Sequence, residues 1–163
     1  MTVDTIGEAD RTIEIEADAD ERRRLAARFA LVAIDTLTAR FAVRRDERGI
    51  LAVGTVAADV VQACSVTGDP LAATVDEAVS LRFVEEIAAD EEIELSDDAL
   101  DTLPIEDGAI DLGEAAAETM ALALDPFPRA PGAEEALRAA GVVGEGEAGP
   151  FGALAGLKAK LGG

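Results

Sequence analysis

Two periods govern the first half of the chain. In RTIEIEAD (11–18), Ile13 and Ile15 alternate with charged residues, which predicts a half-buried strand. Asp18 and Glu21 then stand at capping-box spacing. ERRRLAARF (21–29) reads as a short helix with Leu25 and Phe29 on its inner face, four residues apart. From Leu37 the period drops to two, setting Leu37, Ala39, Phe41 and Val43 against Thr38, Arg40 and Arg44. RRDERG (44–49) is a polar turn ending in Gly49, and ILAVGTVAADVVQAC (50–64) is a long strand in which Gly54 predicts a bulge or bend. SVTGDP (65–70) turns the chain, with Gly68 supplying freedom in φ and Pro70 unable to donate to a ladder. LAATVDEAVSLRFVEE (71–86) then places Val75, Glu77, Val79, Leu81 and Phe83 on one face, the charged Glu77 being the exception. Three strands joined by short turns predict an antiparallel meander.

Beyond the meander the alternation fades. IAADEEIELSDDALDTLPIEDGAI (87–110) reads as irregular and acidic, with short strands near Ile93–Leu95 and Ala109–Ile110. DLGEAAAETMALALDPFP (111–128) is the clearest helix, capped by Asp111 with Glu114 three residues on and closed by Pro126. The following segment, rich in Ala, Gly and Glu, has little to bury and is expected to be mobile. In FGALAGLKAKLGG (151–163), Phe151, Leu154, Leu157 and Leu161 recur at steps of three and four, an amphipathic segment suited to docking. The expected class is α+β: an antiparallel meander sheet of four to six strands, one short N-terminal helix, one longer helix near 112–124 and a flexible C-terminal tail. Residues 1–129 would form a single domain and 130–163 the tail. The pattern specifies neither strand order nor oligomeric state.

Charge sharpens this picture. The 163 residues carry 34 acidic and 14 basic side chains, a net of −20. Such a field repels phosphate backbones and anionic lipid and attracts basic partners. It is also uneven, because no Lys or Arg occurs between Phe83 and Pro128. With five Phe and no Trp or Tyr, rings to stack on bases are scarce. The N-terminal residues lack a basic region followed by an apolar stretch, and no apolar run approaches the length that spans a bilayer, so a cytoplasmic protein without membrane contact is expected. A single cysteine forms no internal disulfide, consistent with a reducing compartment.

Candidate chemistry is sparse. Cys64 is a lone thiol in a chain without histidine, and Asp59 and Asp69 lie nearby in sequence, where negative charge raises a thiol pKa. Its default role is that of a small buried apolar residue. One Cys and no His make no transition-metal site. The carboxylates of DEEIELSDDALD (90–101) lack the spacing of a calcium loop. GEGEAG (144–149) matches a dinucleotide-binding glycine pattern, but it follows no strand and carries two glutamates where phosphate would approach, so it reads as a linker. No cofactor is implied. Candidate RNA contacts are Arg22, Arg23, Arg24, Arg40, Arg44 and Arg45, together with Arg28 and Arg48. These arginines are interleaved with acids, so surface ion pairs account for them, and any RNA contact there should be weak and salt-sensitive.

Three stretches resemble the YceD family, the large ribosomal RNA subunit accumulation proteins. They are GTVAADVVQACSVTGDPL (54–71), DGAIDLGEAAAETMALALDPFP (107–128) and GPFGALAGLKAKL (149–161), and the resemblance covers most of residues 30 to 161. It picks out Cys64 at a strand end, Asp111 and Leu112 at a helix start, Glu118 within that helix, and Pro126 and Pro128 after it. Many members carry a second cysteine three residues after the first. Thr67 stands at that position here, so no paired-thiol or metal role carries over.

The resemblance implies a role in accumulation, processing or stability of large-subunit ribosomal RNA. Joined to the charge, it leads to the expectation of a non-enzymatic accessory factor that engages a basic ribosomal or rRNA-processing protein, its contact with RNA being indirect or weak. The alternative is a direct RNA-binding module using the Arg-rich first third.

Overall fold

A computed structural model describes residues 1–85, 101–105 and 107–142 of the chain. These form two compact units. One lies within Met1–Gln62 and Ala72–Pro126; the other comprises Ala63–Leu71 with the described residues from Phe127 to Val142.

The first unit is built on a five-stranded sheet. β1 (Arg11–Glu16), β2 (Ala33–Asp46), β3 (Gly49–Ala63), β4 (Pro70–Val84) and β5 (Asp101–Pro104) lie side by side in chain order. The expected alternation is realised along β2, where Leu37, Ala39, Phe41 and Val43 are all buried. β1 and β3 both run antiparallel to β2, with Ile13 opposite Phe41 and Phe41 opposite Gly54. β5 runs parallel to β4, with Leu103 opposite Phe83. The sheet is therefore mostly antiparallel rather than a pure meander.

Gly54 corrects one expectation. The register runs regularly through it, and the irregularity falls instead between Ile34 and Thr36. A Cβ at position 54 would lie 2.0 Å from the Arg40 carbonyl oxygen, so glycine is there to let two backbones approach. β5 was not expected either. Only Leu103 of its four residues is even half-buried, too short a stretch for a period-two signal. The anticipated strand at Ala109–Ile110 is an isolated bridge from Ala109 to Thr2, and the one at Ile93–Leu95 lies outside the described residues.

α1 (Ala19–Arg28) starts on the predicted capping box. The Asp18 carboxylate accepts from the backbone N–H groups of Asp20 and Glu21, and the Asp18 N–H donates to Glu21 at 2.8 Å. Leu25 and Phe29 pack against the sheet core as expected. α2 (Leu112–Ala123) is capped by Asp111, which accepts from the Glu114 N–H at 2.9 Å. Its Leu112, Ala115, Ala116 and Met120 join Phe41, Val43, Ile50 and Val56 in one apolar core.

A third helix corrects the expected helix count. α3 (Ala133–Ala139) forms within the segment anticipated to be a mobile tail. It buries Ala133, and Arg138 pairs with Glu134 one turn earlier. A seven-residue helix whose apolar residues are mostly alanine gives little periodicity to read. The glycine pattern at 144–149 and the amphipathic segment at 151–161 lie outside the described residues. Among those described, no helix is long and apolar enough to cross a membrane.

Candidate functional site

A hollow of about 660 Å³ in the first unit lies at the start of α2. Ile13 and Ile15 of β1 line it, and so do Leu103 and Pro104 of β5. Because β1 and β5 are the two outermost strands, the sheet must curl to bring both edges to one cavity. Its floor is aliphatic, since Ile13, Ile15 and Leu103 pack on the core with one side still open.

Its rim is acidic. Asp107, Asp111, Glu114 and Glu118 line it, and among the described residues no Lys or Arg side chain does. The terminal amino group of Met1, also at the rim, donates to the Ile110 carbonyl at 2.7 Å. Of the four carboxylates, Glu114 is the compensated one. Arg28 approaches it to 2.5 Å and holds its carboxyl below the usual range, with burial opposing. Glu118, whose role the sequence left open, is exposed and adds its field to that of Glu114 on the Arg28 guanidinium. A second hollow of about 500 Å³ adjoins the first, sharing Ile15, Asp111, Gly113 and Glu114 and extending toward Leu25 and Arg24 of α1.

Cys64 belongs to the second unit and is buried, with 3 % of its surface exposed. Its backbone closes the turn, with its N–H donating to the Asp69 carbonyl at 2.7 Å and its C=O accepting from Gly68 at 2.9 Å. The sulfur accepts from the Ala130 N–H at 3.2 Å and the Thr67 N–H at 3.5 Å, while Ser65 donates to the Pro128 carbonyl at 2.8 Å. This corrects the expected direction of its titration. The Thr67 hydroxyl and the backbone N–H groups of Ala130 and Thr67 pull the thiol pKa down from 9.0 to about 6. The hydroxyl has one proton, and Asp69 Oδ2 accepts it at 2.6 Å, so the backbone donors are the dependable stabilisers. Asp69 faces Thr67 rather than the sulfur. The thiol thus acts as a hydrogen-bond acceptor joining the turn to the segment at Pro128–Ala130. Among the described residues no cluster of three or more His, Cys, Asp or Glu is placed to hold a metal ion.

The arginines are dispersed and engaged. Arg23 pairs with Asp20, Arg40 with Glu14 at 3.7 Å, and Arg44 with Asp10 at 3.7 Å. Arg22 donates to the Ala17 carbonyl at 2.5 Å, and Arg45 to the Val3 carbonyl at 2.8 Å. Arg24 is exposed beside the second hollow and contributes to lowering the Asp18 pKa, for which the Glu21 backbone N–H is the largest cause. Of the remaining family positions, Leu112 is buried and Pro126 is exposed just past the end of α2. The structure brings Asp111, Leu112 and Glu118 to one hollow. Asp107, Phe83, Leu103 and the two edge isoleucines are among the lining residues that sequence reasoning does not single out. The available signal was Asp107-Gly108, a turn-forming pair in an acidic stretch.

Residues 52–158 match the sequence model of the family described as large ribosomal RNA subunit accumulation protein YceD. The chain belongs to the YceD family. No curated protein and no solved structure matches it. The matched span includes Cys64, α2 and most of the groove lining, from Phe83 to Glu118. It excludes β1, α1 and all of β2, and with them every candidate RNA-contacting arginine. As the family description has it, the role lies in accumulation of large-subunit ribosomal RNA.

Proposed function

We infer that this YceD-family chain is a non-enzymatic accessory factor in accumulation, processing or stability of large-subunit ribosomal RNA, and that it acts through a basic ribosomal or rRNA-processing protein. One observation carries this reading: an apolar groove rimmed by four carboxylates and, among the described residues, by no basic side chain, on a chain of net charge −20. A field of that sign slows the approach of polynucleotide and speeds and selects the encounter with a cationic protein. The first-third arginines support direct RNA contact less well. Arg23, Arg40 and Arg44 pair with carboxylates, and Arg22 and Arg45 are tied to backbone carbonyls. Cys64 lacks the accessible, base-assisted setting of a nucleophile.

The test is low-salt binding of the full chain to purified basic large-subunit ribosomal proteins and, separately, to bare ribosomal RNA. Complexes with ribosomal protein should survive nuclease and weaken with salt. Tight binding to naked RNA, with none to the proteins, overturns the reading.

A further inference from the structure

We propose that the groove between β1, β5 and the start of α2 takes an extended segment of a basic protein in which aliphatic residues alternate with Lys or Arg. This rests on the protein-partner reading above and adds where and in what form the partner docks.

Charge complementarity comes first. Asp107, Asp111 and Glu118 line the hollow and form no side-chain ion pair among the described residues, whereas Glu114 pairs with Arg28; the Met1 ammonium at the rim is tied to the Ile110 carbonyl. Cationic side chains arriving over this rim meet carboxylates that need not abandon an existing ion pair. The apolar floor adds a second demand. Ile13 and Ile15 stand two apart on one face of β1, and Leu103 faces the same hollow from β5. A partner that is merely charged leaves these aliphatic surfaces wet; one with aliphatic anchors buries them.

The strand edge supplies the form. Among the described residues β1 pairs with β2 alone, so its other edge has no ladder partner among them, and its Ile13 and Ile15 line the hollow. A strand laid along that edge turns every second side chain the same way. Aliphatic residues then reach the floor, and the intervening Lys or Arg side chains, which leave the strand on its other side, bend back on their long stems to the flanking rim. The groove's acids come from the α2 start and the Asp107 turn, not from β1 itself, so they flank such a strand without crowding its backbone.

The experiment uses the full chain and a fluorescein-labelled hexapeptide of alternating Leu and Lys, followed by fluorescence anisotropy at low salt. Asp107→Asn combined with Glu118→Gln removes two rim charges from exposed positions and should weaken binding about tenfold. Asp76→Asn combined with Glu77→Gln removes the same charge from exposed positions of β4 outside the groove and should change binding less than about twofold. Equal losses in the two variants overturn the proposal, because the peptide would then be reading the diffuse field of the molecule. Ile13→Thr keeps a β-branched residue in the strand and should also weaken binding; no change overturns the apolar floor. A peptide with the same residues in two blocks, three Leu then three Lys, should bind about tenfold more weakly, and equal affinity overturns the extended form.

The two readings fail separately. If the Asp107/Glu118 variant captures basic ribosomal proteins as well as the wild type does, the groove is not the docking site and the wider reading stands. If the wild type captures none, the wider reading falls with it.

Discussion

The backbone N–H of Ala130 donates to the sulfur of Cys64 at 3.2 Å, joining residues 66 positions apart. A thiol that accepts hydrogen bonds does so more strongly as a thiolate, so the contact couples the turn at 64–69 to protonation.

Cys64 should titrate below its ordinary value of 9.0 in the folded chain, drawn down by the backbone N–H groups of Ala130 and Thr67. Ultraviolet thiolate absorbance reads this directly. The sign follows from linkage. Between the two values the unfolded thiol keeps its proton and the folded one does not, so stability rises with pH. The contribution is complete above 9.0 and is lost as pH falls through the lowered value of the folded thiol. The difference in urea-unfolding free energy between wild type and Cys64→Ala should follow that window. A pH-independent difference would show that the backbone donors do not stabilise the thiolate.

Asp111→Ala removes the cap of α2 and should destabilise the chain by about 1 kcal/mol in urea unfolding. Asp111→Asn retains an acceptor for the Glu114 N–H and should cost only a few tenths, about the same as wild type within error.

Ala30 follows the end of α1 with φ at 54°, and Leu31 donates back to the Ala26 carbonyl at 2.9 Å. This is the left-handed stop that glycine favours. Ala30→Gly should raise stability by roughly 0.5 kcal/mol, the relief of strain exceeding the added freedom of the unfolded chain. A lower melting temperature would contradict it.

Gly54→Ala would place a methyl 2.0 Å from the Arg40 carbonyl oxygen, so β2 and β3 must separate. The cost should be about 3 kcal/mol or more. Gly7→Ala is the matched control, because nothing lies within 4 Å of its new Cβ, and thermal melting should separate the two plainly.

Arg82 donates to Asp46 at 2.7 Å, with side-chain exposures of 14 % and 31 %. That contact is the largest cause of the lowered Asp46 pKa. Stability from it is present above the ordinary carboxylate range and lost as pH falls through the lowered value. Arg82→Gln should cost on the order of 1 kcal/mol at neutral pH and less in acid, which unfolding at both pH values would reveal.

Local sequence carried much of the fold. Period-two runs marked β1 through β4, Asp18 with Glu21 marked the start of α1, and Asp111 with Glu114 marked α2. Each signal acts between residues a few positions apart, so it survives without knowledge of the rest of the chain. β5 and α3 escaped because four and seven residues hold too few apolar positions to define a period. Gly54 reads locally as a bulge, whereas its reason is a carbonyl on the neighbouring strand.

What the sequence settled alone was charge, the absence of imidazole and of large rings, the alternating strands and the helix caps, all properties of neighbours along the chain. Tertiary structure decided the remainder. It curled the sheet until Ile13 and Leu103, ninety residues apart, lined one hollow, and it brought the Ala130 N–H to a sulfur that nearby aspartates in sequence had made look harder to ionise. Both depend on distances in space between remote residues, and no pattern within a short window encodes those.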